Sequence, residues 1–371
     1  MVSQTNENAL EEVIEHALTG QISGNDNAVN IAEGGEGFEH PATPRNRGYK
    51  IGKPENFEKT YAIDEQFFWA FLEKTQNKDL DKLRKSGREW KRKVLERYDR
   101  LCKKHGLLYV LKKGLSIDDA HLTLMYPAPL AGSSERVKQN FEQNIFSCTR
   151  QLRYSQANPG REVDIVLFVN GMPFATLELK NAWTGQTARY HGQKQYREDR
   201  DTKQTLFNFA RCLVHMAVDT DEVYMTTKLA GKSTFFLPFN KGDGEGTGNP
   251  VNPNGHKTAY LWEEVLTRES VANIIQHFMR LDRKSSDTLA KRTLFFPRYH
   301  QLDVVRQLIT HTAKVGPGQT YLIQHSAGSG KSNSITWLAY QLIETYPEDG
   351  SEKPIYDSVI VVTDRRLLDK Q

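Results

Sequence analysis

Asp164, Glu178 and Lys180 have the side chains of a metal-dependent phosphodiesterase and stand close together in the chain. Two carboxylates supply hard oxygen ligands to Mg²⁺, and a lysine amine beside them holds or activates the attacking water. An acid followed by acid-x-lysine is a loose pattern. The same residues also suit a hairpin whose polar side chains face water, with a structural Glu–Lys pair.

One hairpin must position all three. Residues 162–180, EVDIVLFVNGMPFATLELK, contain two apolar runs separated by Asn170-Gly171, a strong hairpin signal. Alternation along a strand puts Glu178 and Lys180 on one face and Leu177 and Leu179 on the other. A strict two-residue turn would set Asp164 opposite Leu177, on the wrong face. A three-residue loop, Asn170-Gly171-Met172 with a bulge, sets Asp164 across from Glu178, about 5 Å away at Cβ. Pro173 has no N–H and suits interrupted pairing there. The longer loop is therefore expected.

A second chemistry-bearing stretch is His325–Ser332, HSAGSGKS, between the apolar TYLIQ (320–324) and a helical pattern running to about Glu344. Strand, Gly-rich loop, Lys-Ser and helix make the context of a phosphate-binding loop. The backbone of Ser326, Ala327, Gly328, Ser329 and Gly330 would curl around the phosphates of ATP, aided by the helix N-terminus. Lys331 would reach the β and γ phosphates, and the Ser332 hydroxyl would ligate Mg²⁺. The strict pattern has Gly where this chain has His325, and an ordinary Gly-rich turn is the competing reading. Residues 355–363, IYDSVIVVT, read as a central parallel strand, so the region predicts the start of a doubly wound ATPase sheet. No acidic strand of the Asp-Glu type follows Lys331. The chain therefore reads as an N-terminal piece of a longer protein, with an incomplete ATPase.

The remaining elements frame these sites. Residues 8–18 form an amphipathic helix, on which Glu11 either approaches Asp164 or lies on a solvated face; residues 19–48 read as a flexible segment. A helix over 62–76 starts at an Asp64 cap. Residues 82–104 read as a helix with eleven Lys or Arg against three acids. Arg88, Lys91 and Arg92 there either track duplex DNA backbone or form a solvated face. Residues 107–111 and 121–126 are strand candidates, 134–144 a polar helix and 146–154 a strand. A polar helix over 187–197 carries Gln193 and Tyr196. Residues 206–218 are a buried helix or strand, 222–227 and 233–239 strands, and 263–281 a helix. The expected fold is α/β: a mixed-sheet, nuclease-like domain (1–260), a connecting helix and linker (261–292), and the start of a doubly wound ATPase domain (293–371).

Composition agrees. The chain has 371 residues, 38% hydrophobic and 26% charged, enough for two or three cores. A formal charge of +4 confines any nucleic-acid affinity to local patches. Three scattered cysteines match neither a zinc site nor a disulfide framework and suggest the cytoplasm. No apolar run approaches a membrane span.

Taken together, these residues resemble the R (restriction, motor) subunit of type I restriction-modification enzymes, from about Asn8 onward. Asp164, Glu178 and Lys180 match the PD-(D/E)xK nuclease motif within REVDIVLFVNG…ATLELKN. QYREDRD…LFNFARCLVHMAVDTDEVYMTT and TFFLPFNKG…GNP also resemble family text. HSAGSGKS resembles motif I of superfamily 2 helicases. Arg298–Gln301 resembles the upstream adenine-reading element, implying Gln301 near the base. TDRRLLDKQ resembles motif Ia, implying Thr363 and Arg365 near the DNA track. Part of the family supports its nuclease site with Gln-x-x-x-Tyr; here the position four before Tyr196 is Gly192, with Gln193 one step later. The resemblance implies a restriction-endonuclease-like domain over 1–260 and a partial RecA-like domain over 293–371. It also implies a Mg²⁺-dependent endonuclease coupled to ATP-driven DNA translocation, working with methylation (M) and specificity (S) subunits. The alternatives are a repair-type helicase with an inactive nuclease-like domain, or a truncated, non-catalytic remnant binding DNA or partner subunits.

Overall fold

The computed structural model describes residues 2–23, 47–130, 133–181, 184–244, 246–282, 288–347 and 353–362. Most of the 19–48 segment, and both Thr363 and Arg365, lie outside them. Among the described residues no helix is long and apolar enough to cross a membrane.

A seven-stranded mixed sheet carries the centre of the molecule. Its strands are β1 (Lys50–Ile51), β2 (Phe146–Arg153), β3 (Glu162–Val169), β4 (Met172–Leu179), β5 (Val214–Val218), β6 (Val223–Thr226) and β7 (Leu237–Pro238), adjacent in chain order. β1 pairs with β2, and β4 with β5, in parallel; the other neighbours are antiparallel. Every residue of β4 is buried, as expected of a strand covered on both faces. On β3, Ile165, Leu167 and Val169 enter the larger core with Leu10, Ile14 and Leu18 of helix α1 (Val2–Thr19). Val166 and Phe168 face a second core with Tyr196 and Phe207.

The β3–β4 turn differs from the expected three-residue loop. Val169 pairs with Met172, so the turn is the two residues Asn170 and Gly171, both with positive φ (50° and 75°). Helix α2 (Glu65–Thr75) leaves no space for more chain: a Cβ on Gly171 would lie 2.4 Å from the Asp64 carbonyl oxygen and 2.6 Å from the Phe68 nitrogen. The Asn170 amide bonds Ile145 N–H, the Leu124 carbonyl and Asn144, fastening the turn from inside. The bulge lies farther along. Leu167 pairs with Ala175 but Phe168 with Pro173, leaving Phe174 as the extra residue. Past it, Ile165 pairs with Leu177, and the same register sets Asp164 against Glu178. The expected facing is reached by another route.

Several elements depart from the sequence reading. Residues 82–104 are not one helix: α3 (Asn77–Lys85) and α4 (Trp90–His105) are separated at Gly87, whose φ is 128°. Residues 107–113 form helix α5 (Leu107–Lys113) rather than a strand, because burying Leu107, Leu108, Val110 and Leu111 suits helical spacing as well as a strand. Strand pairing near 121–126 is confined to a small hairpin of Leu115–Ile117 with Ala120–Leu122, and the polar helix after it is α6 (Glu135–Glu142). The 206–218 stretch resolves into strand β5. Residues 233–239 contribute only Leu237–Pro238 to the sheet. The 263–281 helix is broken at Thr267, which caps α8 (Arg268–Asn273) by accepting from Ser270 N–H. The Asp64 cap is present, its carboxylate accepting from Phe67 N–H at 3.1 Å.

Toward the C-terminus, helix α9 (Tyr299–Val315) packs on helix α10 (Lys331–Leu342), and the Trp337 ring meets that of Phe278 at a tilt, 5.5 Å between centroids. Residues 320–324 and 355–362 form no ladder. Leu322 is 93% exposed and Val362 88%, against the buried strands expected. A parallel strand owes its hydrogen bonds to neighbours on either side, and the described residues supply none here.

Candidate active site

The two acids meet at the end of the β3–β4 ribbon farthest from the turn. Asp164 Oδ2 accepts the Leu179 N–H at 2.6 Å, so its carboxylate reaches across to β4. Burial, then the charge of Glu178, pushes the Asp164 carboxyl up to about 7. Glu178 is fully buried; burial raises its carboxyl too, opposed chiefly by Arg200. The Arg200 Nε donates to Glu178 Oε1 at 2.6 Å, while Glu178 Oε2 is buried without a hydrogen-bond partner. Lys180 follows on the same edge, 7% exposed, its N–H bonded to the Val218 carbonyl at 2.8 Å. Its charge favours ionisation of both acids.

Glu11 is not on a solvated face. It is 4% exposed and bonds Arg150 of β2 at 3.0 Å, with Glu15 on the same guanidinium at 3.3 Å. Burial, and secondarily Asp164, pushes the Glu11 carboxyl up to about 7. Helix α1 thus brings a third acid within electrostatic reach. Among the described residues no three His, Cys, Asp or Glu side chains form a ready cage for a metal. A bound ion would be held by Asp164 and Glu178 and complete its shell with water and substrate oxygen, as Mg²⁺ commonly does. The unpartnered Oε2 of Glu178, whose charge raises the Asp164 carboxyl, fits such an ion.

Helix α7 (Gln193–Glu198) continues from a wider turn over Ala188–Gly192 and covers this edge. The buried Tyr196 hydroxyl lies 2.8 Å from Thr176 Oγ1, 3.0 Å from the Thr176 carbonyl and 3.2 Å from that of Met216, fastening α7 across β4 and β5. His215 joins through Thr176 at 2.8 Å, and burial pushes its imidazole down to about 3. Gln193 is buried, its carbonyl accepting from Arg197 at 3.0 Å. Gly192, four before Tyr196, permits close approach: a Cβ there would lie 2.9 Å from Ala217 Cβ and 3.5 Å from Lys180 Cγ.

Arg88, Lys91 and Arg92 are not brought to the acids. They are exposed at the start of α4. Tyr98 of α4 packs at a tilt against Phe68, which abuts the Gly171 turn. Five residues of strand separate that turn from Asp164, roughly 20 Å. Lys91 lies 3.6 Å from Glu73, and Arg92 3.5 and 3.4 Å from Glu89 and Glu96.

The 325–332 loop leads into α10 through Gly330, in the left-handed region. The Lys331 ammonium donates to the carbonyls of His325 and Ser326 at 3.0 and 2.9 Å. Ser326, Ala327 and Gly328 are exposed, Ser329 is buried, and Ser332 is half-buried at the first turn. Gln301 is brought directly against this loop, its amide donating to the carbonyls of Ser329 and Gly330 at 3.0 Å each.

Sequence reasoning missed Arg200 and Arg150. Arg200 stands one helical turn after Tyr196, a weak signal. Arg150 gives none, because its partners come from α1.

A mixed sheet with helices packed on it, and two acids and a lysine at one edge, is consistent with a nuclease-like core. Sequence comparison identifies the family: Type I restriction enzyme R protein N terminus matches residues 43–234. That is over half of the chain, and the chain belongs to this family. The matched span includes Asp164, Glu178, Lys180 and Arg200. The chain is 27% identical over 248 residues to a protein described as the type I restriction enzyme MjaVIIIP endonuclease subunit of Methanocaldococcus jannaschii, covering 64% of this chain and 22% of the relative. It is 25% identical over 235 residues to the type I restriction enzyme HindI endonuclease subunit of Haemophilus influenzae, covering 63% and 21%. The matches thus span about a fifth of each relative's length.

Proposed function

We propose that this chain carries the DNA-cleaving centre of a type I restriction endonuclease subunit. The observation that carries the reading is the register that sets Asp164 against Glu178 with Lys180 on the same edge. Asp164 and Glu178 would hold Mg²⁺, which when bound polarises the phosphodiester and acidifies water. Lys180, on its short tether from β4, orients the attacking water and offsets charge on the phosphate. Glu11 is the third acid available to this edge, and Tyr196 and Gln193 support it through α7.

The 325–332 loop with Gln301 is read as the ATP site, Lys331 and Ser332 taking the phosphate and Mg²⁺ roles. Residues 1–260 are read as the nuclease unit, 261–292 as the connection and 293–371 as the first part of a RecA-like motor. In a longer protein this motor would translocate duplex DNA in the cytoplasm. The M and S subunits are the proposed partners; recognition of the DNA site would lie with S.

The test is plasmid nicking in Mg²⁺ by the chain with its partner subunits. Asp164→Ala and Lys180→Ala are expected to abolish nicking, whereas Lys331→Ala removes nucleotide binding. Nicking that persists in Asp164→Ala, or that needs no divalent ion, would refute the assignment.

A further inference from the structure

The Glu178–Arg200 contact is single-toothed. A guanidinium beside a carboxylate commonly forms two parallel bonds; here Nε donates to Oε1 at 2.6 Å while Arg200 Nη2 and Glu178 Oε2 are both buried without partners. A buried carboxylate oxygen left open is costly unless another group uses it. The guanidinium is itself held in place: the Tyr154 ring lies 5.6 Å from it and the Tyr154 hydroxyl 3.5 Å from Nη1. The two side chains are 4% and 0% exposed, so neither swings freely.

We propose that Arg200 is a positioning residue for the metal site. It grips Glu178 by Oε1 so that Oε2 is presented to a divalent cation shared with Asp164. It also supplies the counter-charge that keeps two neighbouring acids in the fold before the cation binds. This inference rests on the nuclease reading of Asp164 and Glu178. Partners that orient metal ligands in this way typically change affinity about 10- to 100-fold when replaced. A plain structural ion pair would change stability and leave cation affinity alone.

The experiment uses Mn²⁺ as the probe, titrated calorimetrically into the full chain, with melting followed in parallel. Arg200→Lys keeps a buried positive charge but not the planar fork. It is expected to retain most of the melting temperature while weakening Mn²⁺ binding about 10- to 100-fold. Arg200→Met is expected to lose both. Tyr154→Phe leaves every charge in place, loosens the guanidinium, and is expected to weaken Mn²⁺ severalfold even if the Arg200 variants fail to fold. Parent-like Mn²⁺ affinity in folded Arg200→Lys, or in Tyr154→Phe if neither Arg200 variant folds, overturns the positioning role while leaving the nuclease reading intact. Absence of Mn²⁺ binding in the parent, or binding that survives Asp164→Asn, overturns the nuclease reading itself and this inference with it.

Discussion

Replacing Asp164 by asparagine is expected to stabilise the metal-free protein while destroying its cation site. The carboxyl is lifted from its ordinary 3.8 to about 7 by burial and by Glu178. A group whose folded value lies above its unfolded one costs nothing below the unfolded value. Its penalty grows as pH rises from about 4 and is complete above about 7. A rise of this size corresponds to roughly 4 kcal/mol at high pH, an upper bound because part of it is repulsion shared with Glu178, which either acid escapes by staying protonated. A gain of about 1–3 kcal/mol is therefore expected at pH 8, or roughly 1–4 °C in melting temperature for a protein of this size. The asparagine Oδ1 still accepts the Leu179 N–H, so the ribbon keeps its geometry. Thermal melting of parent and variant at pH 5 and pH 8, with and without 10 mM Mg²⁺, is the assay. The variant's advantage should widen with pH in chelator, and only the parent should gain from Mg²⁺. An advantage that is flat with pH, or an equal Mg²⁺ response in both proteins, would refute the coupling of the two acids.

Two further outcomes follow from the architecture. Gly171→Ala forces a Cβ into the Asp64 and Phe68 backbone at positive φ; a loss of roughly 2–5 kcal/mol is expected in denaturant melts, with weakened Mn²⁺ binding as the ribbon slips. Charge reversal of Arg88, Lys91 and Arg92 together is expected to lower duplex DNA affinity and flatten its salt dependence by about one to three in log–log slope, without altering the Mg²⁺ requirement. An unchanged slope would show α4 to be a solvated face.

What the sequence alone determined here is mostly local. A hairpin centred on Asn170-Gly171, though not its loop length, the alternation along β3 and β4, the Asp64 cap and the Lys-Ser at the head of α10 depend on neighbours a few residues away, and each is present. The pairing of Asp164 with Glu178 was legible as an outcome but not in its cause. Only the packing of α2 on Gly171 excludes a longer loop and moves the extra residue to Phe174. Arg150 at Glu11 joins segments distant in the chain, which no spacing rule could reveal, and Arg200 reaches Glu178 with only its place one turn after Tyr196 to hint at it. The same reasoning explains the exposed 320–324 and 355–362 runs. Apolar β-prone residues make a strand only where another strand answers their N–H and C=O groups, and that answer is a property of the tertiary structure rather than of the segment.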